Sequence, residues 1–118
     1  MQTNIEERSF NFAIRIVKLK DYLTTEKKEF DLSRQILRSG TSIGANVSEA
    51  QQAQSQADFL AKMNIALKET AETKYWLKLL NATNKLTEKE TDSILTECIE
   101  IEKILYSIVR TTKKKIEK

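Results

Sequence analysis

Apolar side chains recur along the chain at alternating steps of three and four, the spacing that lines one face of an α-helix. Four such segments can be traced. The first runs from Ile5 to Thr25, with Ile5, Ser9, Phe12, Ile16, Leu19 and Leu23 on one side, and Phe10, Ala13 and Val17 expected to widen that stripe into the core. The second runs from Asp31 to Ala53 on Leu32, Ile36, Ser39, Gly40, Ile43, Val47 and Ala50. The third spans Ser55 to Asn81 on Phe59, Met63, Ala66, Thr70, Thr73, Leu77 and Leu80. The fourth follows Asn84 on Ile94, Cys98, Ile101, Leu105 and Ile108, flanked by Leu95, Ile99, Tyr106 and Val109.

Polar residues mark the starts. Asn4 with Glu7, Ser55 with Asp58, and Thr87 with Glu90 each place an N-capping side chain three residues before an acid. The connections are short, at 26–30, near Gln54 and at 82–86, and short connections set neighbouring helices antiparallel. The expected fold is all-α, an antiparallel up-down-up-down four-helix bundle. It is read as one domain over residues 1–118, with residues 111–118 fraying into a basic tail. Helices one and four carry apolar residues on more than one face, which suits oligomerisation.

The stretch "RSGTSIGANVSEA" holds Gly40 and Gly44, the only glycines of a chain without proline. No strand precedes them and no Lys-Ser/Thr pair follows, so they do not form a phosphate-cradling loop. Ile36, Ile43 and Val47 keep one face across both, so the helix continues, and Gly40, Gly44 and Ser48 form a smooth row against which another helix can pack closely. Arg38, Ser42, Ala45 and Glu49 share a strip, with Asn46 near its edge. On the third helix Glu69, Glu72 and Trp76 stand at steps of three and four, with Tyr75 adjacent. Two arrangements are open: a half-buried network joining Arg38, Asn46 and Glu49 to Glu69 or Glu72, or ordinary solvated charges. Trp76 either caps the bundle's own core or offers an edge to a partner.

The formal net charge is +3, mildly basic. Arg15, Lys18 and Lys20, with Lys27 and Lys28, form one basic group; Arg110 and Lys113, Lys114, Lys115 and Lys118 form another. These are the candidate nucleic-acid-binding residues, although no aromatic residues interleave with them along the chain as in stacking platforms. Histidine is absent, which removes histidine bases, triads, His-liganded metals and the Glu-x-x-His di-iron template. No catalytic residue, metal or cofactor is expected. Cys98, the only cysteine, falls on the core stripe and reads as an inert thiol. No segment reads as a membrane span or a signal peptide, so a cytoplasmic location is expected.

From Gln35 to Leu80 the sequence resembles the four-helix bundle proteins encoded in intervening sequences of bacterial 23S rRNA genes, some of which carry ribosomal-protein names. The pattern is carried by Gln35, Arg38, Ser42, Ile43, Asn46, Glu49 and Ala50, and by Phe59, Ala66, Lys68, Glu69, Glu72, Tyr75, Trp76 and Leu77. The resemblance implies a ring-like homopentamer. It extends in fold and assembly to the accessory variability determinant of diversity-generating retroelements, which binds nucleic acid and partners a reverse transcriptase. It therefore implies RNA or an RNA–DNA hybrid as ligand and a reverse transcriptase or other protein as partner, without catalytic residues to carry over. A different reading is a protein-interaction scaffold built on the Trp76 region and the acidic start of helix four (Glu88, Glu90, Asp92).

Overall fold

The structure, a computed structural model, describes residues 4–117; Lys118 of the basic tail lies outside the described residues. Helix α1 covers Ile5–Thr25, α2 Asp31–Ala50, α3 Gln56–Ala82 and α4 Glu88–Glu117, with no strand among the described residues. Consecutive helices pack side by side, α4 returns to close on α1, and the backbones of the diagonal pairs stay apart. The result is an up-down-up-down four-helix bundle measuring 50 × 25 × 21 Å.

Each helix starts where a side chain satisfies its free N–H groups. Asn4 Oδ1 accepts from Glu7 N at 3.1 Å, and Ser55 Oγ accepts from Asp58 N at 3.0 Å. At α4 the capping box is complete: Glu90 N donates to Thr87 Oγ1 at 3.1 Å, and Thr87 N donates to Glu90 Oε1 at 2.9 Å. Helix α2 starts differently. The buried Glu29 carboxylate accepts from Leu32 N and Ser33 N at 2.9 and 2.7 Å, doing the work of a cap one residue before the boundary residue Phe30. Lys28 and Asn84 take positive φ (54° and 64°) to reverse the chain.

The core comprises Phe12, Ile16 and Leu23 of α1, Ile36, Ile43 and Val47 of α2, Met63, Ala66, Leu77 and Leu80 of α3, and Ile94, Cys98, Ile101 and Leu105 of α4. The expected widening of the α1 stripe does not occur. Phe10 is 65% exposed and Val17 43%, because they lie across the helix from Phe12 and Ile16, on the outer surface. Two ends also differ from expectation. Helix α2 stops at Ala50 rather than Ala53, as Gln51, Gln52 and Ala53 tighten into i→i−3 hydrogen bonds. Helix α4 does not fray at Thr111 but stays helical to Glu117, with Thr112 buried. Among the described residues, no helix is long and apolar enough to cross a membrane.

Candidate functional site

The glycine row packs α2 against α1. A Cβ built on Gly40 would stand 2.7 Å from Ile16 Cγ1, and one on Gly44 would stand 3.1 Å from the carbonyl oxygen of Ser9. Ile16 has no exposed surface to retreat into. Both glycines have ordinary helical φ, so it is closeness of approach, not backbone freedom, that requires them.

On the other flank of α2, polar residues line the outer groove with α3. The Arg38 guanidinium donates to Glu72 Oε2, and the Trp76 indole N–H donates to the same oxygen at 3.0 Å. Glu49 pairs with Lys62 at 2.9 Å further along. The expected network therefore forms in part, with Glu72 as its acceptor. Asn46 does not cross to α3: its amide donates within α2, to the Ser42 carbonyl at 2.9 Å and to Ser42 Oγ at 3.1 Å. Glu69 also lacks a partner, with Oε1 shut off from solvent and unbonded. Burial, and then the charge of Glu72, raise the Glu69 carboxyl above its usual range, partly offset by Arg38. Trp76 is half-buried against the core with its N–H occupied, while Tyr75 meets it edge-on at 5.1 Å and stays exposed.

The basic residues do not converge. Arg15 donates to Ser93 Oγ at 2.9 Å across the α1/α4 seam, and Lys18 lines an open groove there with Leu19, Tyr22, Leu86, Glu90 and Ile94. Lys20 falls on the opposite flank of α1. Arg110, Lys113 and Lys114 share an exposed face of α4, and Lys115 turns toward the α2/α3 connection, beside Gln54 and Ser55. These two groups lie toward opposite ends of the bundle. Apart from them, α3 and α4 bring together residues 38 positions apart, a pairing invisible along the chain: Tyr106 stands with Lys68 and Lys103 on an open groove of about 500 Å³ that also includes Leu67, Ala71 and Glu102. Thus an aromatic ring does lie among cations, contrary to the sequence expectation.

A family model described as 23S rRNA-intervening sequence protein matches residues 1–107, taking in the glycine row, the Glu72 clasp and this groove. The chain belongs to that family. This 23S rRNA-intervening sequence protein is similar to a crystal structure from Bacteroides thetaiotaomicron VPI-5482, a protein with unknown function from the S23 ribosomal protein family. The two share 55% sequence identity and a TM-score of 0.88, over 90% of this chain and 98% of that one. No curated protein matches the sequence. Neither description names an enzymatic activity.

In this 23S rRNA-intervening sequence protein the thiol is sequestered. Cys98 is buried with its Sγ 3.5 Å from the Thr70 carbonyl, and burial, reinforced by the Glu102 charge, pushes its pKa up to about 12. At the acidic start of α4, Glu90 is engaged by the Tyr22 hydroxyl at 2.6 Å and by the Thr87 amide, which hold its carboxyl below the usual range. No grouping of His, Cys, Asp and Glu suited to a metal ion occurs among the described residues.

Proposed function

We propose that the protein is a non-enzymatic, cytoplasmic homo-oligomer, a ring of five bundles, that binds RNA through repeated cationic surface. The observation that carries this reading is the last two turns of α4. Arg110, Lys113, Lys114 and Lys115 are all exposed, and none is in an ion pair among the described residues. Four unspent cations on one helix end form a modest phosphate-binding surface, and assembly multiplies it. Membership of a family described by its place in 23S rRNA makes RNA the preferred polyanion.

Phosphate contacts of this kind release counterions, so affinity falls steeply with salt. Filter binding against 23S rRNA fragments should show retention at low salt that disappears at moderate salt. Reversing Lys113, Lys114 and Lys115 to Glu should weaken binding by about tenfold or more. Absence of retention by the wild-type protein at low salt would refute RNA binding. Light scattering on the eluting protein tests the subunit count separately.

A further inference from the structure

We propose that the Phe10–Ile14–Val17 face of α1 in one copy docks into the α3/α4 groove of a second copy, against Leu67, Ala71 and Tyr106. This rests on the homo-oligomeric reading above and specifies which two faces meet.

Phe10, Ile14 and Val17 are 65%, 41% and 43% exposed and follow one another at steps of four and three, a continuous apolar ridge that the bundle's own core does not use. Beside it on α2 lie only small residues, and Phe10 borders a shallow pocket floored by Gly44 and Ser48. The groove supplies the matching hollow, about 500 Å³, with Leu67, Ala71 and the 57%-exposed Tyr106.

Charge selects this pairing over the alternatives. The ridge is acidic at both ends, with Glu6 and Glu7 before Phe10 and Asp21 one turn after Val17, all exposed. Two ridges meeting antiparallel about a two-fold axis would set acid against acid. The groove carries exposed Lys68 and Lys103, and its one carboxylate, Glu102, is already paired with Lys74 at 2.8 Å. An apolar ridge with acidic ends therefore meets an apolar hollow with basic edges. Height along the bundle agrees. The Arg38–Glu72 and Glu49–Lys62 pairs bracket α2 and α3 so that Gly44 stands level with Leu67, and Gly44 touches Ser9, the neighbour of Phe10. Ridge and hollow thus occupy the same level on different walls, a heterologous contact that repeats from copy to copy.

The test uses two single variants at exposed positions, Phe10→Glu on the ridge and Ala71→Glu in the groove, with Val17→Glu as a second ridge variant. Helicity and melting should match wild type, since neither face enters the core. Each variant alone should sediment as a monomer, with association weakened by about tenfold or more. Mixing Phe10→Glu with Ala71→Glu leaves one intact ridge and one intact groove between them, so a 1:1 dimer should form and grow no further. Assembly that survives in the single variants overturns the pairing while leaving the oligomer standing. Dissociation of both variants with no recovery on mixing also overturns it. A monomeric wild-type protein removes the oligomeric reading and this pairing together. If RNA is the groove's occupant, Ala71→Glu abolishes filter retention while assembly persists, and the pairing fails.

Discussion

Gly40 and Gly44 stand at positions where one added methyl group is decisive. Alanine would favour the helix by about 1 kcal/mol at either site. At Gly40 that methyl would meet the Ile16 side chain at 2.7 to 2.9 Å, inside a core with no exposed surface nearby. Overpacking of this kind costs roughly 1–3 kcal/mol, so Gly40→Ala should lower stability despite its better helix propensity. Denaturant titration checks the sign. Adding Ile16→Val should cost less in Gly40→Ala than in wild type, because both changes act on one crowded contact. Cys98 makes a second residue-scale case. Its thiol ionises near pH 9 in the unfolded chain and near 12 in the fold. The unfolded state therefore loses the proton first, and stability present below pH 9 should fall by about 1.4 kcal/mol per pH unit above it. Cys98→Ala should flatten that alkaline slope, and the native thiol should resist a disulfide reagent at neutral pH.

Between helices, Glu72 is the point on which the α2/α3 groove turns, since Arg38 and Trp76 both donate to one of its oxygens. Glu72→Ala strands an indole N–H and a guanidinium together, whereas Asn46→Ala breaks hydrogen bonds only within α2. Thermal melts should therefore show Glu72→Ala as the more damaging of the two, at about 1–2 kcal/mol for a charge-assisted pair that is part-exposed. Equal effects would mean that the clasp adds nothing to helix pairing. The elements themselves were largely legible in the sequence, because stripe spacing and the Asn4, Ser55 and Thr87 caps are local signals. What escaped was whatever depends on the neighbouring helix. Phe10 and Val17 look like core residues until the position of α2 is known. Glu29 caps α2 from outside the usual capping position. Tyr106, Lys68 and Lys103 become a site only when α3 lies beside α4.

At the scale of the whole molecule, the bundle is an elongated body with cations toward both ends and an apolar ridge and hollow level with each other partway along. On the proposed pairing, the operation relating one copy to the next leaves the long direction of the bundle unchanged. All α4 C-terminal ends then gather on one rim of the assembly, and the Lys18 to Lys28 ends gather on the other. A phosphate backbone following the first rim would meet Arg110, Lys113 and Lys114 once per subunit, so multivalency rather than any one subunit sets the affinity. Two consequences separate assembly from charge. Reversal of Lys113, Lys114 and Lys115 should flatten the salt dependence of RNA retention, by about one in the log–log slope for each phosphate no longer neutralised, while sedimentation stays at the wild-type value. Phe10→Glu should do the converse, leaving each subunit's cations intact but reducing retention to that of a lone bundle. If the monomeric variant bound RNA as tightly as wild type, with the same salt slope, the rim would have no role in binding and the cationic surface of a single subunit would account for it.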